Sequence, residues 1–80
     1  MKLSIQLFGI TRDIVGQPQL EYFAGDAPTV QNLLDSLRLQ YPALAGLRSL
    51  LVAVNNEYAE ADQRLDARDE IALIPPVAGG

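Results

Sequence analysis

The sequence predicts an α+β fold, a mixed sheet of about five strands with one main helix packed on one face. Three observations carry this. The chain opens on a polar/apolar alternation, Lys2-Leu3-Ser4-Ile5-Gln6-Leu7. Its middle places Val30, Leu33, Leu34, Leu37 and Tyr41 at the spacing of one helical stripe. A short aliphatic run, Ile71-Ala72-Leu73-Ile74, then stands directly before Pro75-Pro76.

Taken in order, the opening alternation puts Leu3, Ile5 and Leu7 on the core face of a half-buried strand. Phe8 breaks the pattern and marks either the strand's end or an aromatic contact shown on the opposite face. Thr11 to Gly16 reads as a short helical turn or loop, with Gly16 suited to the left-handed conformation that ends one. Gln19 to Phe23, bounded by Pro18 and Gly25, is expected to return antiparallel to the first strand. Thr29 is the expected N-cap of the main helix, because its hydroxyl can accept from an orphan N–H of the first turn. Pro42 is expected to end that helix by pushing Tyr41 out of helical geometry.

Leu44, Leu47 and Leu50 suggest a further helical turn, punctuated by Gly46. Leu51-Val52-Ala53-Val54 is continuously apolar, so a strand covered on both faces is expected, followed by a tight turn at Asn55-Asn56. Charge dominates from Glu57 to Glu70, which predicts a short edge strand near Tyr58 and then an exposed loop around the lone large aliphatic Leu65. Ile71 to Ile74 forms the last strand, with Ala72 and Ile74 facing away from Ile71 and Leu73. Ile74 is the expected exposed contact. Pro75 and Pro76 cannot donate backbone hydrogen bonds and stop the pairing. Strand, strand, helix, strand, short strand, strand matches the order of a β-grasp, which the order alone does not separate from other small α+β folds.

Composition narrows the chemistry. The 80 residues hold one compact domain, expected over 1–76, with 77–80 as a flexible tail. A chain of this size buries only about 60% of its unfolded surface, which limits room for an internal pocket. Cysteine and histidine are both absent, which removes thiol chemistry, the usual zinc ligands and the commonest general base. No metal site and no bound cofactor are expected. The net charge of −4 disfavours nucleic acid, which is held by clustered Lys and Arg. It fits either an electropositive protein partner or a solubilising surface. No apolar run nears the roughly 18 residues of a membrane span, so no membrane contact and a cytoplasmic location are expected.

The most informative stretch is Pro75-Pro76-Val77-Ala78-Gly79-Gly80. The prolines restrict the direction in which a tail leaves the domain. Gly79 and Gly80 carry no Cβ, so a narrow channel can close around them. An α-carboxylate ordinarily titrates near pH ~3.5, so it is ionised at neutral pH and resists nucleophilic attack. As an acyl donor it needs prior activation, for which adenylation is the direct route. A sulfur donor could then replace one oxygen and leave a terminal thiocarboxylate.

With this ending, the length, the β-grasp order, Leu7-Phe8, Pro28-Thr29-Val30, Leu51-Val52-Ala53-Val54-Asn55 and Asp69-Glu70, the chain resembles the small, sulfur-carrying subunits of molybdopterin synthase, a ubiquitin-like family. The resemblance implies that an E1-like, ATP-consuming enzyme adenylates Gly80 and that a sulfur donor protein takes part in its conversion to the thiocarboxylate. It also implies that the synthase large subunit receives the tail and supplies the catalytic side chains. There the sulfur passes to a cyclic pyranopterin precursor, building the molybdopterin dithiolene. Gly79 would serve passage of the tail, and Pro75, Pro76 and Val77 would seat its base. Phe8 and Ile74 are the candidate docking residues. The alternatives are a related carrier for thiazole or cysteine synthesis, a ubiquitin-like protein modifier, or an interaction domain with a frayed terminus.

Overall fold

A computed structural model describes residues 1–47 and 49–75 of the chain. Its elements are β1 (Lys2–Leu7), α1 (Ile10–Val15), β2 (Gln19–Phe23), α2 (Val30–Gln40), α3 (Pro42–Ala45), β3 (Leu51–Val54), β4 (Glu57–Tyr58) and β5 (Ile71–Ile74). The strands form one five-stranded sheet in the order β2-β1-β5-β3-β4. β5 lies parallel to β1, with Ile5 opposite Ile71 and Leu7 opposite Leu73, and the other pairings are antiparallel. This is the β-grasp order, with the last strand inserted at the centre.

The alternation in β1 does what its period requires. Leu3 and Ile5 are fully buried and Leu7 nearly so. Leu20, Val52, Val54, Ile71 and Leu73 join them from the other strands. Val30, Leu33, Leu34 and Leu37 of α2 and Leu44 of α3 close the same core. α2 starts on a full capping box: Thr29 Oγ1 accepts from the Asn32 N–H at 3.2 Å, and Asn32 Oδ1 accepts from the Thr29 N–H at 3.0 Å. At the other end Tyr41 leaves helical geometry, with φ −126° and ψ 86°, and Pro42 opens α3 at its first turn, where its missing N–H costs nothing.

The polar stretch after β4 is tied down at a few points. The Val30 and Gln31 N–H groups at the start of α2 donate to the Gln63 and Ala61 carbonyls, and the Leu65 N–H donates to Pro28 O at 2.8 Å. Leu65 is only 4% exposed, a single apolar plug that seats the loop on the core.

One expectation is corrected. β3 is covered on one face only: Val52 and Val54 are buried, whereas Leu51 is 48% exposed and Ala53 half-buried. The helices all pack into the one core, so among the described residues no element lies over the second face. Its apolar side chains therefore remain open, although the run reads as that of a doubly covered strand.

Candidate functional site

The open face of the sheet divides into two halves. On β1 and β2 it is mainly polar and carries Lys2, Ser4, Gln6, Gln19 and Glu21, with the exposed Phe23 at its end opposite Lys2 and Lys2 Nζ 3.2 Å from Glu21 Oε1. On β5, β3 and β4 it carries Ala72, Ile74, Leu51, Ala53 and Tyr58, which register places side by side: Ala53 opposite Ala72, Leu51 opposite Ile74, and Tyr58 opposite Ala53. The apolar half holds a shallow hollow of about 320 Å³ lined by Phe8, Ala53, Asn56, Tyr58, Ala72 and Ile74.

Phe8 is 50% exposed and belongs to this face, since it follows the inward Leu7 in the β1 alternation. Its backbone is clamped from beneath. The Phe8 N–H donates to Thr11 Oγ1 at 3.0 Å, and the Thr11 hydroxyl donates to the Phe8 carbonyl at 2.6 Å. Thr11 is fully buried, so both bonds are partly shielded from water. The next residue, Gly9, has φ 55° and ψ −133°, a combination open to glycine and strained for any residue with a Cβ. It turns the chain from β1 into α1 and lets Pro75 come close.

Ile74 faces this side as expected but is half-buried rather than freely exposed, because Leu51 stands opposite it and Phe8 lines the same hollow. Pro75, also half-buried, lies against Gly9 at the end of β5, so the chain leaves the sheet at the edge of the apolar half. Pro76, Val77, Gly79 and Gly80 lie outside the described residues.

Sequence reasoning placed Ala72 with Ile74 on the outward side of the last strand but missed Tyr58, Leu51 and Ala53 as members of this face. Each sits on an outward position of its strand, but only the cross-strand register brings them together. Thr11 had a faint signal, a hydroxyl three residues after Phe8, where it can close a turn.

A β-grasp sheet whose last strand runs out beside an open apolar face defines the class of ubiquitin-like carrier and modifier domains. The chain belongs to the ThiS family, which it matches over residues 5–80. It is 37% identical to the molybdopterin synthase sulfur carrier subunit of Arabidopsis thaliana, covering 100% of this chain and 84% of that one. It is 32% identical to small archaeal modifier protein 3 of Haloferax volcanii, with both chains covered in full. The crystal structure of SAMP1 from the same organism superposes with a TM-score of 0.83 at 28% identity, again over 100% of each chain. Among the described residues no helix is long and apolar enough to cross a membrane, and no cluster of three or more His, Cys, Asp or Glu could hold a metal ion.

Proposed function

We infer that this chain is the sulfur carrier subunit of a molybdopterin synthase. The observation that carries the reading is the full-length similarity to sulfur carrier subunits on a fold whose exit strand borders an apolar docking face. In this reading residues 1–76 are the carrier domain and 77–80 the delivered tail. The reactive group is the Gly80 carboxylate. An E1-like enzyme joins it to AMP at the expense of ATP, and AMP then leaves as a sulfur donor protein provides the replacing sulfur. The domain binds no cofactor of its own.

Docking on the synthase large subunit uses Phe8, Ile74 and their neighbours, and the geometry gives this a reason. A partner seated on the apolar half has Pro75 and the end of β5 beside it. Pro75, Pro76 and Val77 seat the base of the tail, Gly79 passes the narrow part of the channel, and Gly80 presents sulfur to the cyclic pyranopterin precursor. A cytoplasmic site of action belongs to the same reading.

The intact mass after incubation with ATP, the cognate activating enzyme and a sulfur donor tests it. One oxygen replaced by one sulfur is expected, and an unchanged mass with a demonstrably active enzyme overturns the reading. Similarity to an archaeal modifier supports a second reading, attachment of Gly80 to lysines of other proteins. Isopeptide-linked conjugates in cell extracts would favour it; their absence beside a sulfur-loaded chain would exclude it.

A further inference from the structure

We propose that the hollow floored by Ala53 and Ala72 is a socket for one apolar side chain of the protein partner, presented beside an arginine or lysine that meets Glu70. The proposal rests on the carrier reading and adds the chemistry that the docked surface must have.

The floor is low because the two residues in register at its centre both end at Cβ. The walls are high because Phe8 and Tyr58 project from it, at 50% and 71% exposure. An aromatic or branched aliphatic side chain entering between them meets Phe8, Tyr58, Ile74 and the two alanines, with Asn56 the polar residue of the lining, and removes already exposed apolar surface from water. A flat apolar partner would bridge the walls and leave the floor unfilled, forfeiting those contacts.

Charge selects what stands next to that side chain. A smaller hollow of about 120 Å³ shares Phe8, Ala53, Asn56 and Ala72 with the first and adds Gln6, Glu70 and Ile71. Glu70 is held at a fixed point: its N–H donates to Asn55 Oδ1 at 2.9 Å, and its carbonyl accepts from the Asn55 N–H at 2.8 Å. The neighbouring carboxylates are engaged within the turn. Asp69 accepts from Asn55 Nδ2 at 3.1 Å and from the Asp66 N–H at 2.8 Å, while Asp66 accepts from the Arg68 N–H at 2.9 Å. Among the described residues, no hydrogen bond or ion pair engages the Glu70 carboxylate, and the described ion pair of the sheet, Lys2–Glu21, lies on its polar half. A carboxylate on a rigid mount at the rim of an apolar hollow is set for a partner's cation, and the net charge of −4 adds attraction at longer range.

The test is the affinity of the full chain for the purified synthase large subunit, by calorimetry over a range of salt. Ala72→Leu fills the socket from the solvent side without touching the core, and is expected to weaken binding about tenfold or more while the thermal transition stays in place. Glu70→Lys is expected to weaken it about tenfold and to flatten its salt dependence, with Glu70→Gln intermediate. Gln19→Leu, an equal apolar gain on the polar half, binds as the parent does. Unchanged affinity in both Ala72→Leu and Glu70→Lys overturns the socket. Sulfur loading of the parent chain, read by intact mass in the same preparation, separates the two levels. A parent that binds through the socket yet never takes up sulfur leaves the socket standing and removes the carrier reading. A parent that loads sulfur and binds indifferently to these changes does the reverse.

Discussion

Gly9 and Pro75 meet where the parallel β1–β5 pair ends: a Cβ added at Gly9 would lie 3.1 Å from Pro75 Cγ. The contact joins the turn after the first strand to the exit of the last, and Gly9 makes it from a positive φ of 55°. Both the space and the backbone conformation therefore exclude a branched side chain. Gly9→Val is expected to cost roughly 1–3 kcal/mol of stability through backbone strain. It should also displace Pro75, so binding of the large subunit falls further than the stability loss explains. Urea denaturation paired with calorimetry measures both.

Thr11 holds Phe8 by two bonds, but the Phe8 carbonyl also accepts from the Thr11 backbone N–H at 3.2 Å. Removing the hydroxyl leaves only the Phe8 N–H without a partner. Thr11→Val is therefore expected to lose about 1 kcal/mol, and Thr11→Ser, which keeps the oxygen, clearly less. Denaturation midpoints of the two variants give the comparison.

Leu65 is the anchor of an otherwise polar loop. Leu65→Ala is expected to destabilise by about 2–3 kcal/mol, combining lost burial with the cavity left behind. Because the Leu65 and Val30 N–H groups bond between this loop and the start of α2, their hydrogen exchange should accelerate before that of β1 and β5. Uniform acceleration across the chain would contradict the anchoring role.

Asn55 does two jobs. It occupies φ 53° in the β3–β4 turn, and its side chain bonds Asp69 and Glu70. Asn55→Gly keeps the turn and loses the clamp, whereas Asn55→Ala loses both. The alanine variant is thus expected to be the less stable of the two, by about 0.5–1 kcal/mol. Equal stability of the two would show that the turn conformation carries no strain.

Deleting Gly80 is expected to abolish sulfur loading and leave the melting temperature of the domain unchanged, since every core residue among those described lies at or before Leu73. Appending one residue after Gly80 should have the same effect. Loading assays on the two variants, with circular dichroism as the folding control, decide it.

The order of elements, the inward faces of β1 and β5, the Thr29 cap and the glycine end of α1 were all legible in the residues. Each follows from local rules: a period of two or of three to four, a hydroxyl before a helix, a glycine after one. The similarity to sulfur carriers was legible as well, because the closing motif is contiguous. Local reading misjudged β3, whose four apolar residues look doubly buried. Periodicity reports what a side chain prefers, and an apolar residue left for a partner reads like one kept for the core.

The sequence by itself determined the alternating faces of β1 and β5, the apolar stripe of α2, and that the chain carries Gly79 and Gly80 behind two prolines. Only the tertiary structure decided which outward residues become neighbours. β5 enters the sheet between β1 and β3, so Ala72 meets Ala53, Ile74 meets Leu51, and Phe8 lines their hollow. Those pairings join segments far apart along the chain, and non-local strand pairing is set by burial of the whole core rather than by any local pattern. The same insertion brings Pro75 to Gly9, and with it places the end of β5 at the edge of the apolar face.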